Sequence, residues 1–174
     1  MLNESSPFRR DLLTSRDRAC SAVVAFVTMV TVPNPTDDER IVPLDAALVA
    51  GFWTHCRLSK SPDRDERAQA DQWYWAWDAV FRATRTSVDG VVALLVALAD
   101  AAAGDLERLA YLGAGPFEDL LRYGERPPTP TILDELDRAA HDNDNVRLAV
   151  RAMWWGDNDD PRTVERFTRF GPTY

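Results

Sequence analysis

Apolar positions recur along the chain at three- and four-residue steps. That period is the mark of helices that bury one face, so the sequence predicts an all-α protein. The clearest case is residues 43–58, where Leu44, Leu48, Phe52 and Cys56 fall on one stripe with Val49 and Trp53 beside it. A second helix is expected over about Arg64 to Arg85, with Asp63 as N-cap and Glu66 as its capping-box partner. Here Trp73, Trp77 and Phe81 form an aromatic ridge, Tyr74 lies beside it, and Trp75 points elsewhere. Residues 88–102, capped by Ser87, are apolar nearly all round, the pattern of a central helix on which the ridge should pack.

Beyond Gly104 a helix is expected over Asp105–Leu112. The Gly113-Ala114-Gly115-Pro116 segment then reads as a turn, with Pro116 opening a new helix that Gly124 stops. Pro127, Pro128 and Pro130 mark a rigid linker, followed by three shorter helices at Thr131–His141, Asn145–Trp155 and Pro161–Phe170. The 174 residues are the size of one domain. The organisation expected is an N-terminal arm over 1–15 and a single helical domain over 16–174. That domain would be a bundle or short helical-repeat-like stack of about seven to eight helices. The apolar run 19–32 is too short to span a bilayer and is readable as helix or strand. Arg9 and Arg10 upstream of it invite comparison with a twin-arginine signal, but Arg16, Asp17 and Arg18 intervene and no A-x-A site follows. A cytoplasmic protein with no membrane association is the expectation.

Charge and motif chemistry narrow the function classes. The net charge of −8 is concentrated in the C-terminal two-thirds, and no basic stripe offers a footprint for nucleic acid. Cys20 and Cys56 have no metal or redox spacing, and His55 and Cys56, being adjacent, point about 100° apart on a helix. His141 sits near a helix end, where it complements the dipole. The glycines at 113 and 115 lack the rest of a dinucleotide or phosphate-loop signature. Asp157, Asp159 and Asp160 crowd one turn, and Asp142 and Asp144 another, without the spacing or distant Glu of a calcium loop. No cofactor, metal or catalytic residue is therefore assigned.

The run Trp73-Tyr74-Trp75-Ala76-Trp77, the apolar helix, and then Tyr111-Leu112-Gly113-Ala114-Gly115-Pro116-Phe117-Glu118-Asp119-Leu120-Leu121 resemble a family of small bacterial proteins of unknown function. The resemblance covers roughly residues 67 to 155 and is carried most specifically by Tyr111, Gly115, Pro116, Glu118 and Asp119. It implies a helical fold and brings no activity. In size and charge such proteins look similar to immunity and antitoxin-like proteins. The expected function is a non-enzymatic acidic module that binds another protein, with a basic one favoured by charge, as an immunity-type partner would. Its interface candidates are Trp75, Trp154, Trp155, Asp142, Asp144, Asp157, Asp159 and Asp160. The alternatives are a self-associating domain forming a homodimer, or a small-molecule or enzymatic pocket beside the aromatic helix with Asp71, Asp78 and Glu118 as its acids.

Overall fold

Helix α1, Ala46–Ser59, forms where the four-residue apolar stripe lies and buries Leu48, Phe52 and Cys56 on it. Trp53 is buried beside them, and its indole N–H donates to the Leu98 carbonyl at 3.2 Å, so a large ring enters the core with no orphaned donor. These features come from a computed structural model that describes residues 46–125 and 127–171. The proposed arm at 1–15, the apolar run 19–32, Cys20 and Leu44 lie outside the described residues.

Helix α2, Arg64–Ala70, starts on Asp63, whose carboxylate accepts the N–H groups of Asp65 at 2.7 Å and Glu66 at 3.2 Å. The reciprocal half of the expected box is not made. The Asp63 N–H donates instead to the Ser61 hydroxyl, and the Glu66 carboxylate turns towards Arg57, 4.0 Å away. The aromatic helix is also not continuous. A tight turn at Asp71–Trp73 separates α2 from α3, Tyr74–Thr86.

Ser87 has a different role from the one expected. It adopts φ 51° and terminates α3 in the left-handed region, and Gly90, at φ 82°, precedes α4, Val91–Ala101. Two residues with positive φ make a sharper reversal than a cap would, and glycine takes that conformation without strain. Helix α4 is central as its composition demands: Val91, Val92, Leu94, Leu95, Leu98 and Ala99 are buried, against α1, α3, α5, α6 and α7.

The aromatic ridge does not pack chiefly on α4. Helix α3 lies mainly on α1 and buries the small face Ala76, Val80, Ala83 and Thr84. A Cβ at Gly51 of α1 would come within 2.9 Å of the Ala76 Cβ, so the helices meet through their smallest residues. That close approach displaces the rings to the flanks. Trp77 stacks on Phe81 with centroids 4.3 Å apart, and its indole N–H donates to the Tyr111 hydroxyl at 3.1 Å. Trp73, Trp77 and Phe81 end half-buried.

Helix α5, Leu106–Leu112, is capped by Asp105. The expected turn at Gly113–Pro116 is absent. The chain continues helically through two widened, π-type turns, Gly113–Phe117 and Asp119–Tyr123. Proline inside a helix has no N–H to donate and its ring crowds the carbonyl four residues back, which an extra residue in the turn relieves. Gly113 is required by packing, since a Cβ there would lie 2.2 Å from the Ala149 carbonyl oxygen. Helices α6, Pro130–Asp142, α7, Asp144–Arg151, and α8, Pro161–Thr168, follow, capped by Thr129, Asn143 and Asp160. The described residues are thus all-helical, and their core is centred on Phe52, Leu95, Leu98, Leu112, Phe117, Leu120 and Leu136.

Two adjacent glycine substitutions separate packing from backbone freedom. Gly113→Ala should destabilise by about 3 kcal/mol, because a rigid carbonyl blocks the new methyl. Gly115→Ala should be neutral or slightly stabilising, as its Cβ would meet only Phe81 at 3.5 Å. Chemical denaturation of both variants checks the contrast, and equal losses would refute it.

Candidate functional site

Arg122 lies in the second π turn, and its side chain is only 6% exposed. Its Nε donates to Asp159 at 2.8 Å and its Nη1 to the Trp154 carbonyl at 2.7 Å, with the Glu118 carboxylate 3.5 Å away. Both acids are themselves tied to the same loop. Glu118 accepts the Trp154 N–H at 2.7 Å, and Asp159 accepts the Gly156 N–H at 2.6 Å. The guanidinium sits against two aromatic rings, 4.7 Å from the centroid of Tyr123 and 5.2 Å from that of Trp154. Rings rather than deep core shield this charge, so the cluster lies covered but close to the surface.

Electrostatics follow from that arrangement. Burial pulls the Arg122 pKa down, but the bond to Asp159 and the charges of Asp159 and Glu118 outweigh it and hold it above the ordinary value. Burial alone would raise the Asp159 pKa, yet Arg122 and the Gly156 N–H hold it below the ordinary carboxylate range. Asp119, the other acid of the Glu-Asp pair, faces Arg85 at 3.5 Å, and burial raises its pKa despite that partner.

The rings that close over Arg122 are open to solvent on their far side: Trp154 is 68% exposed and Tyr123 56%. Trp155 turns the other way and packs against the core, as two adjacent indoles must. Among the predicted acids, Asp159 is committed to Arg122, and Asp160 accepts the Thr163 N–H at 2.9 Å as the cap of α8. Asp157 is exposed beside them. At the α6–α7 corner Asp142 and Asp144 are exposed, with Asp144 paired to Arg147, while Asn143 between them caps α7. Trp75 is 38% exposed, next to Tyr74 at 50%, at the start of α3. The predicted residues therefore fall in three places, and only Trp154, Asp157 and Asp159 share a neighbourhood. Sequence reasoning missed Arg122 and Tyr123. The four-residue spacing of Glu118 and Arg122 was the available signal, though the same spacing marks many solvated helix pairs.

Among the described residues no cluster of His, Cys, Asp and Glu is arranged to hold a metal ion, and no helix is long and apolar enough to cross a membrane. His55 is a half-buried helix residue, its Nδ1 3.0 Å from the Ala70 carbonyl oxygen. Of the acids considered for a pocket, Asp78 pairs with Arg82, Glu118 belongs to the Arg122 cluster and Asp71 is exposed. No protein-family model, curated protein or solved structure matches the chain.

Arg122→Met leaves two shielded carboxylates without their cation. It should cost about 2–3 kcal/mol, below the full penalty for breaking a deeply buried pair because water is near. Arg57→Met, which removes the exposed 4.0 Å pair with Glu66, should change stability by less than about 0.5 kcal/mol. Equal effects in denaturant titrations would show that the cluster is no more than surface charge. The depressed Asp159 pKa also fixes a pH dependence. Its stabilisation is complete above the ordinary carboxylate value and is lost as pH falls through the lower folded value. Across that acidic window the melting temperature of Asp159→Asn should fall less steeply than that of the wild type.

Proposed function

We propose that this domain is a non-enzymatic protein-binding module whose contact face is built on Tyr123 and Trp154. The observation that carries the reading is the pairing of two solvent-exposed rings with one shielded guanidinium. Binding hot spots are enriched in Trp, Tyr and Arg, and they hold affinity when little side-chain freedom is lost on association. Trp154 is held on both counts: its backbone N–H and carbonyl are bonded to the Glu118–Arg122 pair, and its ring lies against the Arg122 guanidinium, 5.2 Å from the ring centroid. Exposed Asp157 and Glu125 lie close by in sequence, and the chain carries a net charge of −8. A basic protein surface is the partner that charge favours, since complementary potential raises the encounter rate. An immunity-type role, in which this face covers a basic protein, is the specific form of the proposal.

Affinity capture from the native host, repeated with purified components, tests it. Wild type should retain one stoichiometric basic partner, and raising the salt should weaken binding by slowing association. Trp154→Ala should weaken binding about thirtyfold, corresponding to about 2 kcal/mol, a loss larger than the roughly 0.5–1 kcal/mol of stability that its contact with Arg122 contributes. A partner held equally by Trp154→Ala and Tyr123→Ala, or no stoichiometric partner at all, sinks the proposal. A homodimer disrupted by the same substitutions would replace it with self-association.

A further inference from the structure

A cavity of about 220 Å³ opens between α1 and α5, and none of its lining residues belongs to the Arg122 cluster. Its walls are aromatic, supplied by Trp53 and Tyr111, with Cys56 beside them. The Tyr111 hydroxyl accepts the Trp77 indole N–H at 3.1 Å. Burial pushes the Tyr111 pKa up to about 12 and raises that of Cys56, so both groups stay neutral beside the cavity at ordinary pH.

The rim is where cations gather in an otherwise acidic chain. Arg57, Arg108 and Lys60, which is the one lysine of the protein, all line it. Lys60 lies over the Tyr111 ring, 4.5 Å from its centroid, and Arg108 over Trp53 at 5.3 Å. Two acids, Asp105 and Glu107, also line the cavity. Asp105 is already occupied: one oxygen caps α5 and the other pairs with Arg108 at 3.2 Å. Among the described residues Arg57 reaches one carboxylate, that of Glu66 at 4.0 Å, and Lys60 has none within ion-pair distance. Three cations, Arg57, Lys60 and Arg108, thus line the cavity against two acids, Asp105 and exposed Glu107, and the lining carries one positive charge in excess.

We propose that this cavity binds a small organic anion with a flat apolar body, its charge held by Lys60 and Arg57 and its body lying between Trp53 and Tyr111. The volume lies below the roughly 300–1,000 Å³ of drug-sized sites, which limits the ligand to about one substituted ring. A carboxylate suits the rim because ammonium and guanidinium groups both bond it with charge assistance. The aromatic walls select against small hydrated anions, which would leave those rings in contact with water.

Titration of the full chain with benzoate, followed by amide and indole NMR signals, tests the assignment. Benzoate should give saturable shifts centred on Trp53, Lys60, Arg108 and Tyr111. Acetate, which lacks the ring, and benzamide, which lacks the charge, should each bind at least tenfold more weakly. Lys60→Gln should weaken benzoate binding at least fivefold, and Lys60→Arg should retain it. Lys60 is exposed at the end of α1, so both variants keep the fold. Absence of saturable shifts, equal binding of benzamide, or an unchanged affinity in Lys60→Gln each overturns the proposal.

Discussion

The C-terminal half of the fold depends on one buried charge. Arg122 holds the segment that joins α7 to α8 through two of its own contacts, to the Trp154 carbonyl and to Asp159. Glu118 and Asp159, the acids that compensate it, also accept N–H groups from that segment. Six backbone and side-chain groups that would otherwise need water are thereby satisfied by one another. A buried ion pair often contributes little net stability, because desolvation offsets attraction. Its value lies in geometry, since a guanidinium with several fixed acceptors admits few alternative arrangements. The segment between α7 and α8 contains Gly156, Asp157 and Asn158, residues that impose no conformation themselves. Arg122 supplies the constraint they lack.

The widened turns explain how adjacent acids serve two different elements. Neighbouring side chains on a helix diverge by about 100°. Glu118 accordingly reaches the Trp154 segment while Asp119 reaches Arg85 near the end of α3. The Glu125 N–H adds a bond to the Arg85 carbonyl at 2.8 Å. The stretch from Gly113 to Tyr123 thus works as a brace between the α3 end and the α7–α8 connection. Pro116 forces the turn to widen, and Gly113 lets α7 approach. Both residues act through backbone geometry.

The helical fold was legible because apolar periodicity, caps and prolines agreed. Asp63 begins a helix as its side-chain chemistry dictates, and α4 is central as its lack of a polar face demands. What failed were inferences in which one residue type supports two geometries. A glycine pair before a proline reads as a turn, yet the same residues permit a widened helix under close packing. Ser87 reads as an N-cap, but its backbone conformation depends on the reversal that α3 and α4 impose. The aromatic ridge was placed on the wrong neighbour, because nothing local reveals that Gly51 and Ala76 meet. Of the site, Trp154 and its acidic neighbourhood were legible as composition. Arg122 was not, because a Glu–Arg pair four residues apart looks the same whether it is solvated or covered by two rings.

The internal use of acids changes how the surface charge can work. Asp159 and Asp160 were natural candidates for an external acidic patch, but one neutralises Arg122 and the other caps α8. The exposed acids, Asp157 in one loop and Asp142 and Asp144 at another corner, are spread out. Dispersed charge screened within about 8–10 Å at ordinary salt can steer an encounter, but it fixes no orientation. Orientation would have to come from a rigid apolar feature, and Trp154 and Tyr123 are the exposed rings tied to a buried charge. Trp75 and Tyr74 are similarly exposed, but no ion pair holds Trp75, which leans on Gly51 of α1. Between the two aromatic pairs, the one whose position costs less entropy to keep on binding is the stronger anchor. That difference is why the binding face proposed for this domain is built at Arg122 and not at the start of α3.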